Sequence, residues 1–454
     1  MTPLPQPLDP EALQRLIHDL EGLDVLDGGP ALHELSRDQH HLSPPLEEAL
    51  RGCRAQVVVR AHDREQLRRV AALCHRHRAP LTLRGAGTGN HGQCVPLSGG
   101  VVLDTSPLQR LLHLDPATGV LTAEPGCRLL DLDRLLQPQG RALRLSPSTW
   151  RTATLGGFIA GGSGGIGSLR WGFLREPGNV LGLEVVTLEP QPRRLRLEGS
   201  AARPLNHAYG TNGILTAVRL ATAPAVAWQQ VVATFGDRSA ALEAARQLAA
   251  SALDLNALAL LEAPLGLRMP WPQGCPAASA KEHRLLLFAA PDCLPLLPEL
   301  LAELGGALLW QEPQGGSRGV PLREITWNHT TLHWRAHHPE WTYLQLMLPE
   351  PEEALLAVID RRWPDAVLWH LEAVRVGGRP RLSGLPLVRL GDAAGLAELI
   401  ACCRDHGAEV ADPHVISVED GGSGQVDPEQ VAAKHAHDPA GLLNPGKLRG
   451  WRGI

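Results

Sequence analysis

Glycine placement constrains this chain more than any other feature. Gly85, Gly87 and Gly89 fall within five positions of the stretch Arg84-Gly85-Ala86-Gly87-Thr88-Gly89-Asn90, straight after the apolar run Leu81-Thr82-Leu83. Glycine accepts positive φ and puts no side chain in the way, so such a loop can turn its N–H groups inward and cradle a phosphate. Alone, the loop reads equally well as a surface turn. A second segment, Thr154 to Gly172, holds eight glycines with Leu155, Phe158, Ile159, Ile166, Leu169 and Trp171 interleaved. A linker would be polar throughout. Glycine inside a helix or strand costs roughly 0.5–1 kcal/mol against alanine, so this density needs a compensating reason. Close approach of backbone to a ligand with a long phosphate-containing body supplies one.

The surroundings of the first loop restrict its type. Gln56 to Val59 reads as a strand, Asp63 to His77 as a helix with Leu67, Val70, Ala71 and Cys74 on one face, and Pro80 to Leu83 as a second strand. This β–α–β unit predicts parallel strands. A nicotinamide-type Rossmann unit needs G-x-G-x-x-G opening a helix. Here the spacing is Gly85-x-Gly87-x-Gly89, and strands follow at 101–103, 111–114 and 120–123. That reading is disfavoured.

With 454 residues the chain is too long for one core, so two domains plus accessory segments are expected. A net charge of −5 gives no electrostatic footprint for nucleic acid. The eight cysteines are scattered, which disfavours iron–sulfur ligation and a disulfide framework. No apolar run of about 18 residues is present to span a bilayer, and the first residues, Met1 to Pro7, lack the basic start and apolar core of a secretory signal. A cytoplasmic protein is expected, with peripheral membrane association left open.

Four motifs in order then resemble the FAD-linked oxidases related to vanillyl-alcohol oxidase and p-cresol methylhydroxylase (PCMH). Arg84 to Gly89 resembles their first flavin loop. Ser146-Pro147-Ser148-Thr149, leading to Ala153-Thr154-Leu155-Gly156-Gly157, is similar to the second flavin segment. Tyr209-Gly210-Thr211-Asn212-Gly213-Ile214-Leu215-Thr216 resembles the closing motif, and Asp438 to Lys447 resembles the C-terminal signature of the glycolate oxidase and D-lactate dehydrogenase branch. The resemblance implies an α+β fold: a two-subdomain PCMH-type FAD-binding domain over 49–225 and a ferredoxin-like α+β cap over 226–405. A segment 1–48 precedes them, and 406–454 returns to the FAD domain. It implies FAD held by Arg84, Gly85, Ala86, Gly87, Thr88, Gly89, Asn90 and His91, by Pro147, Ser148, Thr154, Gly156, Gly157, Gly161, Ser163, Gly164 and Gly165, and by Ile214 and Asn444. Some relatives tether flavin to a histidine near this loop, but the pattern around His91 differs, so noncovalent FAD is preferred. The branch's histidine-rich metal motif with G-D-G-N followed by E-H-G is missing, so no metal is assigned.

Outside the glycine segments the densest chemistry is Thr326 to Arg335. As a strand it would place Trp327, His329, Thr331, His333 and Arg335 on one face. His329 is then a base candidate and Arg335 a carboxylate partner. Trp369-His370-Leu371-Glu372 with Arg375 is a second set, and His414 a third catalytic candidate. The expected activity is hydride transfer from a small hydroxylated substrate, a 2-hydroxy acid of the glycolate or D-lactate kind, to FAD. An oxidase of sugars, aldonolactones or alcohols, and a non-catalytic FAD-binding subunit, stay open. So do the electron acceptor (quinone, carrier protein or oxygen) and a partner subunit.

Overall fold

A computed structural model describes residues 4–39, 42–162, 164–316, 319–389 and 391–452. The first subdomain is a four-stranded sheet in the order Asp24–Leu26, Val57–Arg60, Val101–Asp104, Leu81–Arg84. Val57–Arg60 and Leu81–Arg84 both run parallel to Val101–Asp104, which lies between them. The helix Arg64–Arg76 connects them; Asp63 caps it by accepting from the Gln66 N–H, and Leu67, Val70, Ala71 and Cys74 are its buried face. The β–α–β unit is therefore as the spacing predicts, with one strand inserted. The N-terminal segment contributes to this sheet, since Asp24–Leu26 adds antiparallel to Val57–Arg60.

The second subdomain is antiparallel, ordered Leu111–Leu114, Val120–Ala123, Ile214–Pro224, Val180–Val186, Arg194–Glu198, with Arg141–Leu143 also on Ile214–Pro224. Its core takes in Leu155, Phe158 and Ile159 of the helix Leu155–Gly161. The apolar residues of the second glycine segment are thus core, as interleaving implied.

The cap is built on an eight-stranded sheet ordered Gly306–Pro313, Gln229–Phe235, His283–Ala289, Leu255–Leu261, His370–Val376, Arg379–Gly384, Gln345–Met347, Glu409–Ala411. Side chains alternate across it. Val231, Ala233, Leu258, Leu260, Leu285 and Leu287 pack with the helices Arg238–Ala250, Leu297–Glu303, Glu353–Arg362 and Ala393–Asp405. Val232, Ala257, Ala259, Leu286 and Phe288 face the other way, toward Ile166, Leu322, Ile325 and Trp334. Helices cover one face, and the opposite face looks toward the flavin domain. The C-terminal segment returns to the first sheet, where Leu443 bridges Leu81 in parallel.

One expectation is corrected. Residues 328–335 form a helix, Asn328–Arg335, not a strand. Trp327, with φ 52° and ψ −143°, breaks the extended chain just before it. Thr330, Thr331 and Trp334 are its buried residues, a helical spacing that the same sequence also satisfies. The five residues expected on one strand face are therefore dispersed.

Candidate flavin and substrate site

Strand Leu81–Arg84 delivers the glycine loop, and Arg84 folds back beneath it. Its Nη1 donates to the Arg37 carbonyl at 2.5 Å, while Nη2 is buried without a partner. Gly87, at φ +70°, has no room for a side chain, since a Cβ there would lie 2.1 Å from Arg84 Nη2. A Cβ on Gly85 would lie 2.1 Å from Thr154 Oγ1, so the two glycine segments touch at this point. Thr154 caps the helix Leu155–Gly161 by accepting from the Gly157 N–H. A Cβ on Gly156 would lie 2.6 Å from Pro125 Cβ.

Between these walls runs a cavity of about 120 Å³ lined by Arg84 to Asn90, Pro147, Thr154, Gly156, Gly157, Gly161 and Tyr209 to Gly213 in part. It shares Thr88, Asn90, Gln93, Pro147, Thr149, Gly161 and Tyr209 with a larger cavity of about 620 Å³. The larger one is lined by His91, Ser148, Gly164 and His207 from the flavin side. From the cap come Trp327, Asn328, Gln345, Ser383 and Leu385, with Glu409, Ala411 and Val418 to Gln425 in part closing the wall. A slender channel over glycine backbone, with an orphaned guanidinium nitrogen beside it, fits a diphosphate. The wider chamber beyond fits a ring system with room for a second small molecule.

The C-terminal segment braces the loop from behind. Lys447, fully buried, donates to the carbonyls of Gly92, Gln93 and Val95 at 2.6, 2.8 and 2.7 Å. Burial pushes its pKa down to about 8. Asn444 Nδ2 donates to the carbonyls of Gln93 and Tyr209. Asn444 lines neither cavity, and neither do Gly165 and Ile214. Gly165 serves packing, because a Cβ there would lie 2.1 Å from the Ser146 carbonyl oxygen. Ser163 lies outside the described residues.

The buried His91 and Tyr209 and the half-buried His207 form an aromatic group, with Tyr209 ring centroids 6.3 Å from His91 and 5.2 Å from His207. Burial, aided by His207 and His414, drives the His91 pKa down to about 3, so its imidazole is neutral. His91 Nδ1 and His207 Nε2 are buried without partners. Sequence reasoning placed His91 here but passed over His207 and Tyr209; the aromatic Tyr209 inside the Tyr209 to Thr216 motif was the available signal.

The three catalytic candidates separate. His329 pairs with Glu324 at 2.9 Å, and Glu324 also accepts from Arg151 at 2.8 Å. That chain joins cap to flavin segment and does not line the cavity. Arg335 and His414 come together instead. Arg335 Nη1 donates to the Leu42 carbonyl at 3.1 Å, Nε is buried without a partner, and it has no carboxylate partner among the described residues. His414 lies against the Tyr343 backbone, with neither ring nitrogen in a well-formed hydrogen bond; burial lowers its pKa. The Tyr343 hydroxyl accepts from Asn90 Nδ2, which ties this cluster to the flavin loop. Arg335 and His414 sit one layer behind the lining residues Asn90, His91 and Asn328. Among the described residues no three His, Cys, Asp or Glu side chains converge as a metal site.

The fold is of the type seen in p-cresol methylhydroxylase, and its glycine-lined channel fits a flavin diphosphate. Residues 55–194 match the family model described as "FAD binding domain", and FAD is the cofactor. Over its full length the fold is similar to that of p-cresol methylhydroxylase with substrate bound, at TM-score 0.71 and 16% identity, covering 98% of each chain. It is also similar to alkyldihydroxyacetonephosphate synthase, at TM-score 0.72 and 15% identity, covering 98% of this chain and 86% of that one. In sequence the chain is 33% identical over 130 residues to glycolate oxidase subunit GlcD of Bacillus subtilis. It is 28% identical over 199 residues to the mitochondrial D-2-hydroxyglutarate dehydrogenase of Bos taurus and 29% over 177 to the D-lactate dehydrogenase of Anaerostipes hadrus. These matches cover 29%, 41% and 38% of this chain and 27%, 36% and 37% of the relatives. The chain therefore matches between about a quarter and a little over a third of each relative's length. No helix among the described residues is long and apolar enough to cross a membrane.

Proposed function

We propose that this protein is an FAD-dependent oxidoreductase that takes a hydride from the CH–OH carbon of a small 2-hydroxy acid. The observation that carries the reading is the continuous cavity joining the glycine-lined channel to a chamber roofed by the cap. Similarity to GlcD, D-lactate dehydrogenase and D-2-hydroxyglutarate dehydrogenase supports the substrate class. FAD, when bound, supplies the hydride acceptor.

The chain's own residues have three tasks. Arg84 to His91 and Thr154 to Gly164 hold the cofactor, with Gly85 and Gly156 allowing backbone approach. Arg335, a half-buried cation in no ion pair among the described residues, is suited to attract a substrate carboxylate toward Asn90 and Asn328. His414, kept neutral by burial one layer behind the lining, is suited to accept the hydroxyl proton through a water. His329 remains a rival base, although Glu324 engages it.

A second reading, a neutral polyol or aldonolactone substrate, is favoured by one observation. The inner lining offers the carboxamides Asn90, Asn328 and Gln345, whereas the lining cation Arg175 already pairs with Asp427 at 2.5 Å. Anaerobic mixing of the FAD-loaded protein with glycolate, D-lactate and D-2-hydroxyglutarate, then with polyols and aldonolactones, tests both. Bleaching of the flavin band by a hydroxy acid alone supports the first reading, and bleaching by neutral substrates alone replaces it. An FAD-loaded protein reduced by neither is left as a cofactor-binding subunit that needs a partner.

A further inference from the structure

A buried acid–imidazole pair in the cap has no role in the mechanism above. Glu372 and His370, on strand His370–Val376, are 1% and 0% exposed, and His370 Nε2 lies 2.9 Å from Glu372 Oε1. The same Oε1 accepts the backbone N–H of Trp327 at 2.5 Å. Trp327 sits at φ 52° and ψ −143°, a combination that disfavours any side chain and costs on the order of 1–3 kcal/mol unless its surroundings fix it. A charge-assisted bond to a buried carboxylate is a contact strong enough to fix it.

The position held in this way matters to the cavity. A Cβ on Gly164 would lie 2.7 Å from Trp327 Cη2 and 2.8 Å from Phe173 Cε1, so the indole rests directly on the second flavin segment. Trp327, Asn328 and Gly164 all line the larger chamber. The indole Nε1 is buried and has no partner among the described residues. With ordinary backbone angles at 327 the entry to helix Asn328–Arg335 would turn differently, and the ring would leave Gly164.

We propose that Glu372, oriented by His370, is a positioning residue that holds Trp327 as an aromatic wall of the flavin chamber. It acts through Trp327 and touches neither cofactor nor substrate. The proposal rests on FAD occupying the cavity, not on the identity of the substrate.

A double-mutant cycle on FAD affinity tests it, read by flavin fluorescence quenching on titration of the apoprotein. E372A should raise the FAD dissociation constant by about tenfold and shift the visible flavin band. E372Q, which keeps an oxygen acceptor, should recover most of that loss. In a W327G background, where the strain and the indole are both gone, E372A should change FAD affinity by less than about twofold, because coupled residues are not additive. An E372A effect of equal size in both backgrounds overturns the proposal, as does a lowered melting temperature with unchanged FAD affinity and spectrum. If E372A does not fold, E372M, which fills similar space but keeps no acceptor, against W327G and the double variant completes the same cycle. Failure of FAD to bind the unmodified protein would overturn the cofactor assignment instead.

Discussion

Replacing Lys447 by methionine isolates what the C-terminal segment does for the flavin loop. The ammonium donates to three carbonyls, those of Gly92, Gln93 and Val95, and no solvent reaches it. Methionine fills similar space but donates nothing, and each buried carbonyl left without a donor costs about 1–3 kcal/mol. Against this stands relief of a buried charge. The fall of the Lys447 pKa from 10.5 to about 8 corresponds to about 3 kcal/mol at 1.36 kcal/mol per unit. Three such carbonyls cost about 3–9 kcal/mol, so the net loss is centred on about 3 kcal/mol, a fall in Tm of roughly 10 °C for a subdomain of this size. Differential scanning calorimetry of the apoprotein measures it, and FAD titration should show weaker binding because residues 92–95 follow directly on the cradle. The pH dependence has a definite sign. Folding lowers this pKa, so between about pH 8 and 10.5 the unfolded chain binds more protons and stability rises with pH. The native protein should gain on K447M across that window, with Asp38, Cys94 and Cys53 the charged or ionisable neighbours that face the amine. Equal Tm values and equal FAD affinities for the two proteins would refute the reasoning.

Gly85→Ala should abolish FAD retention, measured as the flavin-to-protein ratio after desalting, because the new Cβ meets Thr154 Oγ1 at 2.1 Å; adding T154A should restore part of it, and unchanged retention in G85A would refute the close approach. Acidification should destabilise the fold as the unfolded chain protonates His91 below pH 6.5 while the buried ring resists down to about pH 3, a loss of roughly 5 kcal/mol at the acid end. An NMR titration showing the His91 ring protonated at pH 5 would contradict it. H414A should slow flavin reduction about 10²-fold if His414 is the base, with FAD affinity unchanged. H329A should lower Tm through loss of the Arg151–Glu324–His329 chain yet keep flavin reduction within about threefold; a loss of about 10²-fold would return His329 to the role of base.

Much of this protein is legible in its residue order. The cofactor site is local: glycine spacing in 85–89 and 154–172 encodes backbone angles and close approaches, and both segments line the channel. The parallel β–α–β unit and the amphipathic helix at 64–76 follow from periodicity, which is also local. The catalytic wall is not. Thr326 to Arg335 satisfies an alternating pattern and a 3.6-residue pattern together, and only packing of Thr330, Thr331 and Trp334 against the cap chooses the helix. That choice sends His329 to Glu324 and brings Arg335 beside His414, which is 79 positions away. The contacts of Lys447 with residues 92–95, and of Glu372 with Trp327, likewise join distant segments. Local order specified the flavin cradle, because conformational freedom belongs to individual residues. The tertiary structure decided which charges face one another, because burial and pairing are properties of neighbours in space.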